Sequence, residues 1–187
     1  MVNAPLRTLT LAEFLQQAET EPASEYIDGQ IIRKPMPQGK HSLLQGELVP
    51  AANSILKPKR VGRAFPELRC TFGDRSILLD IAVFVWSRIP RDEKREVANT
   101  FSIAPDSTIE IPSPDQSLTR VTKNILHCLQ HGTEMGWLID PEEQPVFVYR
   151  PRQAIAVFDE PDALLLVPSF ASELQLIVKD LFAWLLE

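Results

Sequence analysis

Cysteine is almost absent: Cys70 and Cys128 are the two in 187 residues, 58 positions apart, and neither has a CxxC partner. That excludes a disulfide framework and a cysteine zinc site, and it fits a reducing compartment. Glycine is scarce too, with 7 residues. None falls in a G-x-G-x-x-G or P-loop pattern, there is no HExxH, and Ser113 and Ser117 lack a G-x-S-x-G context. Nucleotide-driven chemistry, zincin proteolysis and serine hydrolysis therefore find no support. The longest nearly apolar run, Ile77 to Trp86, has ten residues and contains Asp80, whereas a bilayer span needs about 20. The first residues carry one arginine and no long apolar core, which argues against a secretory signal and leads to an expected cytoplasmic location.

Basic charge is also in deficit, with 19 Lys and Arg against 25 Asp and Glu, a net charge of −6 and a pI near 5.2. Residues 140–187 account for the whole imbalance, holding 3 basic and 9 acidic residues. No general electrostatic footprint for nucleic acid is present. One stretch runs the other way: Lys57, Lys59, Arg60, Arg63, Arg69 and Arg75 against Glu67 and Asp74. It reads either as a solvated basic face or as a phosphate contact.

With 44% hydrophobic and 24% charged residues, the chain can bury a real core, and its length predicts one domain over residues 1–187. Thr10 and Glu13 have capping-box spacing ahead of a short helix through Leu11, Phe14, Leu15 and Ala18. Asp28-Gly29 marks a tight hairpin within residues 24–34. A helix follows over residues 41–56, with a kink expected at Pro50. Strands are expected at 61–65 and 68–72 flanking Pro66, at 77–86 and at 108–111, and a helix over 118–135. A strand pair follows at 136–141 and 146–149, then strands near 154–158, 163–167 and 173–178 and a closing helix over about 179–186. The sixteen prolines suit many short elements with stiff connections. The order predicts a mixed α/β fold, a strand-rich middle flanked by helices.

Within that pattern Asp80 is anomalous. Strand alternation puts it on one face with Leu78, Ala82 and Phe84, and burying the carboxylate unpaired costs several kcal/mol. A metal ion, a cation such as Arg69, or a strand end open to water would each relieve that cost. Glu110, between Ile109 and Ile111, repeats the pattern. Two such carboxylates can supply oxygen ligands to Mg²⁺, which lowers the pKa of bound water and stabilises phosphoryl charge. Lys123, on the following helix, is placed either to orient that water or simply to face solvent. His127 and His131 have a zinc-chelating spacing without a third ligand nearby. His41 either faces the same cleft as Glu25 or has a cap or surface role.

These residues resemble a family. Glu25-Tyr26-Ile27-Asp28-Gly29-Gln30, Phe65-Pro66-Glu67, Leu79-Asp80-Ile81-Ala82-Val83-Phe84, Ile109-Glu110-Ile111-Pro112-Ser113-Pro114, and Lys123 ahead of Gly136-Trp137-Leu138-Ile139-Asp140-Pro141 stand in one order over roughly residues 8–186. In that order they resemble the Uma-type family of proposed restriction endonucleases, within the PD-(D/E)XK superfamily. The resemblance implies a restriction-endonuclease-like core, a mixed β-sheet flanked by helices. It also implies an endonuclease that hydrolyses DNA with Mg²⁺, or alternatively Mn²⁺, held by Asp80 and Glu110. Lys123 matches the family's helix lysine and would position the water, while Glu25 matches an N-terminal acidic position that completes the site. The chain departs from the family at Leu79, where proline is usual, and at His127, where an aromatic is common. At Pro112 the superfamily has lysine, so activity on this reading depends on Lys123. Enzymes of this superfamily that cut both strands commonly pair two sites, which leads to an expected homodimer; Phe182, Trp184 and Leu185 in the last helix are the apolar residues in need of cover. The competing expectation is a catalytically silent member acting as a nucleic-acid or protein interaction module.

Overall fold

A computed structural model describes residues 9–114 and 116–186. Thr10 caps α1 (Leu11–Leu15) with both bonds of the capping box, and the helix stops at Gln16, short of Ala18. Strands β1 (Ser24–Ile27) and β2 (Gln30–Arg33) form the expected hairpin, with Asp28 and Gly29 at φ 51° and 81°. A two-residue turn of that kind matches the twist of its strands only with φ positive at both positions, which glycine and aspartate tolerate.

Helix α2 (Gly39–Leu56) runs through Pro50. It buries Leu44, Leu48, Ala52 and Leu56 against the sheet, and Asn53 pins it to β3 by exchanging bonds of 3.0 and 2.9 Å with the Ala64 carbonyl and amide. Instead of two strands flanking Pro66, β3 is continuous (Gly62–Phe72) and pairs along its whole length with β4 (Arg75–Val85). The hairpin's irregularity is confined to Glu67, at φ 44°, between the pairs Pro66–Ile81 and Leu68–Leu79.

Beyond β4 the chain forms β5 (Ser107–Glu110), α3 (Leu118–Gln130) and β6 (Met135–Ile139). β5 and β6 are parallel, which requires a crossover, and α3 provides it. The helix ends five residues before the expected boundary. Gly132 turns the chain at φ 102° and Thr133 donates to the Pro105 carbonyl at 2.6 Å, so residues 133–135 already belong to the sheet layer. β7 (Val146–Tyr149) and β8 (Ala156–Phe158) complete the order β2-β1-β4-β5-β6-β7-β8, with β3 paired to β4 off that path. Of the other two expected tail strands the described residues keep a single bridge, Leu164 to Ile177, and the chain closes with α4 (Val178–Ala183).

The sheet thus lies between α2 with α4 on one face and α3 on the other. This is a mixed α/β fold with a mixed sheet flanked by helices. Phe182 is buried, and Trp184 and Leu185 pack on the same core. The apolar residues expected to seek a second copy are therefore covered by their own chain. No helix among the described residues is long and apolar enough to cross a membrane.

Candidate active site

The site forms where the sheet parts. β3 occupies one edge of β4, so the other edge is shared by β1, which meets it at Ser76, and β5, which meets it at residues 81–83. Between those contacts the β4 backbone has no strand beside it, and buried peptide groups must find other partners. Side chains supply them. The Glu25 Oε1 accepts from the Leu78 amide at 2.9 Å, the Lys34 Nζ donates to the Leu78 carbonyl at 2.8 Å, and the Gln45 Nε2 donates to the Asp80 carbonyl at 2.7 Å. Asp80 closes the gap from the β4 side, its Oδ2 accepting from the Ile111 amide at 2.7 Å just past β5.

Alternation along β4 changes phase here. Ile77 and Leu79 share one core cluster with Ala82 and Phe84, while Ile81 and Val83 join the other. Asp80 therefore does not continue the face of Ala82 and Phe84, as strict alternation requires. It sits at the phase change, with Glu67 on the paired strand in its left-handed conformation.

The cation that meets Asp80 is Lys34, whose ammonium donates to Oδ1. Arg69, the sequence candidate, instead engages Glu19, Ser76 and the Ser24 carbonyl. Burial would lower the Lys34 pKa, but the charges of Asp80, Glu110 and Glu67 more than offset it and raise it. His41, at the start of α2, donates from Nδ1 to the Ile111 carbonyl at 2.5 Å. Its buried Nε2 has no hydrogen-bond partner among the described residues and lies 3.6 Å from Glu67 Oε1 and 3.7 Å from Asp80 Oδ1. Burial works against its protonation, yet the two carboxylates outweigh burial and raise its pKa. The same neighbours act on Glu67 in reverse: burial pushes its carboxyl up, and His41, Lys34 and Gln45 bring it below the ordinary value.

Glu110 is 2% exposed. The β4–β5 register, carried one residue past Ile81 and Ile109, sets it across from Asp80. Its carboxylate accepts from the Thr108 hydroxyl at 3.2 Å, and burial followed by the charge of Asp80 raises its pKa well above the usual range. Glu25 is buried as well, and burial raises its pKa despite the bonds from Leu78 and Asn124.

Asp80, Glu110 and Glu25 are thus brought into electrostatic contact around Lys34. Lys123 is not in that group. It is exposed on α3 and lines a groove of about 400 Å³ with Ile27, Gln30, Ile32 and Arg120, whereas Lys34, His41 and Glu67 line a cavity of about 440 Å³. Among the described residues His127 and His131 gain no third His, Cys, Asp or Glu ligand. His127 Nε2 donates to the Phe72 carbonyl at 3.0 Å, its ring stacked on Phe72, and His131 Nδ1 donates to the His127 carbonyl at 2.8 Å.

The residues present fit a divalent cation. Among the described residues His41, Glu67 and Asp80 each offer a ligand atom within 4.8 Å of the others. The 3.6 and 3.7 Å separations exceed the about 3 Å expected between adjacent ligands of an octahedral ion with bonds of about 2.1 Å, so the side chains would draw together by about 0.7 Å on binding one. The Nδ1 bond to Ile111 leaves Nε2 of the neutral ring as the free lone pair, the usual arrangement for a histidine that holds a metal. Two carboxylates and an imidazole suit Mg²⁺ or Mn²⁺, with nitrogen favouring Mn²⁺. Of the expected ligands Asp80 and Glu110, this group contains Asp80, joined by His41 and Glu67. Phe65-Pro66-Glu67 stood among the family-like fragments, and a histidine on the first turn of a helix lacking acidic residues there was the available signal for His41. Lys34 carried none, being a polar residue after a hairpin and before a proline.

Comparison with known proteins agrees with this architecture. The sequence model of the Uma2 family, described as a putative restriction endonuclease, matches residues 11–179. The crystal structure of a putative nuclease belonging to DUF820 from Anabaena variabilis ATCC 29413 is 71% identical, superposes with a TM-score of 0.93, and the match covers 95% of this chain and 99% of that one. No curated protein matches the chain.

Proposed function

Because the chain belongs to the Uma2 family of putative restriction endonucleases, we propose that it is an endonuclease that hydrolyses phosphodiester bonds of DNA with a divalent cation, Mg²⁺ or Mn²⁺. The observation that carries this reading is the unpartnered, buried Nε2 of His41 facing Asp80 and Glu67, with His41, Glu67 and Lys34 lining one open cavity. His41, Glu67 and Asp80 would hold the ion, with Glu110 buried across from Asp80 as further acceptor capacity. When bound, such an ion lowers the pKa of a water and offsets charge on a phosphoryl oxygen.

Hydrolysis adds one water across a P–O bond. The water oxygen bonds to phosphorus, the bond to the leaving sugar oxygen breaks, one water proton passes to a carboxylate of the site, and the leaving oxygen takes a proton from solvent. Glu67, ionised and 39% exposed, is the acceptor that solvent can reach. Glu25 acts at one remove: by bonding to the Leu78 amide it braces the strand that carries Asp80. Lys123 stands with Arg120 in the adjoining groove, apart from the groups that would hold the ion. Cutting both strands of a duplex takes two sites, and a homodimer through the free edge of β8, where Ile155 and Val157 are exposed, would supply them. A reducing cytoplasm suits the two buried free thiols.

The test is cleavage of single-stranded, duplex and branched DNA, with RNA alongside, in Mn²⁺, Mg²⁺ or chelator. Metal-dependent cleavage of DNA that disappears in Asp80→Asn is expected. Cleavage that survives both chelator and Asp80→Asn, or none on any substrate, would overturn the reading; in the second case the fold serves as a binding module.

A further inference from the structure

We propose that Lys34, not Lys123, is the lysine that binds the scissile phosphate, an assignment that rests on the nuclease reading and names a further residue of the same site. The two lysines differ in every respect that decides such a role. The Lys34 side chain is 8% exposed and lines the cavity that His41 and Glu67 line, with its ammonium on Asp80. Lys123 is exposed, lines the neighbouring groove, and makes no hydrogen bond or ion pair among the described residues.

Position is fixed at both ends of Lys34. Its backbone amide donates to the Ala23 carbonyl at 2.8 Å, continuing the β1–β2 ladder by one residue, and Pro35 follows. Its Nζ is held by the Leu78 carbonyl and Asp80. An ammonium has three donors, so one is left for a ligand in the cavity. A positioned cation needs no reorganisation when negative charge develops on a phosphoryl oxygen, which is why such groups count most in phosphoryl transfer. A solvated lysine on a helix surface pays that reorganisation on each turnover.

The charge count points the same way. Glu19, Glu21 and Glu67 line the cavity, Asp80, Glu110 and Glu25 act on Lys34 electrostatically, and among the described lining residues the side chains able to carry positive charge are Lys34 and His41. With His41 turned to the carboxylates that would hold an ion, Lys34 is the cation left to meet phosphate.

The experiment compares wild type with Lys34→Cys, Lys34→Arg and Lys123→Met. Cleavage is measured in Mn²⁺, and binding of a fluorescent DNA oligonucleotide is measured by anisotropy in Ca²⁺. Native Lys34→Cys is then alkylated with 2-bromoethylamine to restore an ammonium one sulfur away. Cys70 and Cys128 are buried and their thiol pKa values are raised by burial, so mass spectrometry should find one adduct. Expected are a loss in cleavage of about 100-fold or more for Lys34→Cys, recovery on alkylation, and a change of less than about tenfold for Lys123→Met. Lys34→Arg, which keeps the charge that the fold needs, should remain folded yet cleave at least about tenfold more slowly, because a planar fork does not replace a point ammonium. Alkylation without recovery, or Lys123→Met losing more than Lys34→Arg, overturns the assignment. If wild type cleaves nothing, the nuclease reading falls by itself. Weaker oligonucleotide binding by Lys34→Arg and Lys34→Cys then still supports the phosphate contact, and unchanged binding removes it.

Discussion

Lys34→Met should destabilise the protein more than Asp80→Asn, although the two residues are partners in one ion pair. Each is almost fully enclosed, at 8% and 1% side-chain exposure. Removing one member of a buried pair leaves an uncompensated charge and costs about 3–5 kcal/mol. Here the two removals are unequal. Without Lys34, Asp80 and Glu110 confront each other across the strands with Glu67 nearby, and the full cost applies. Without the Asp80 charge, Lys34 still has Glu110 and Glu67, the latter at 4.0 Å. The loss then reduces to weakening the bond from the Ile111 amide, about 1.5–3 kcal/mol for a bond to a charged group, less the repulsion relieved at Glu110. For a chain of this size, about 2–4 °C of melting temperature per kcal/mol gives a drop of roughly 6–20 °C for Lys34→Met and a markedly smaller one for Asp80→Asn. Lys34→Met combined with Asp80→Asn should lie above Lys34→Met alone. Differential scanning calorimetry in chelator measures all three. A larger drop for Asp80→Asn, or equal drops, would refute the reasoning that carboxylates outnumber cations in this site.

Mn²⁺ near 100 times its dissociation constant should stabilise wild type by about 2.7 kcal/mol, and thermal-shift measurements should find this gain lost in His41→Ala; an undiminished gain would remove His41 as a ligand. Glu110→Gln should raise stability at pH 8 and raise it less at pH 5. Its folded pKa lies above the ordinary 4.5, so the stability tied to the acid is complete below that value and is lost as pH rises through the folded pKa; urea titrations at both pH values check the sign. His127 has the opposite displacement: burial, with Arg75 and His131 nearby, puts its folded pKa below the ordinary 6.5. Its contribution is present above 6.5 and is lost as pH falls toward the folded pKa. His127→Gln should therefore flatten the fall in melting temperature between pH 7 and pH 5, and an unchanged slope would count against it.

Local chemistry was readable before any coordinates. The Asp28-Gly29 turn, the Thr10–Glu13 box and the apolar period of α3 each rest on interactions within a few residues, so sequence alone determined them. It likewise singled out Asp80 and Glu110, because a carboxylate in an apolar strand is anomalous wherever the strand lies. Where a boundary depended on distant packing, as with residues 131–135, which leave α3 to enter the sheet, periodicity overran it. Tertiary structure alone decided what answers the Asp80 charge. Lys34 leaves a hairpin, His41 opens a helix and Glu67 takes a left-handed conformation within a strand, and each is an ordinary polar residue in its own segment. They meet because β1 and β5 part along one edge of β4 and leave backbone groups that only side chains from other elements can satisfy. Unpaired backbone in a sheet is a property of strand order, and strand order depends on contacts between residues far apart in the chain.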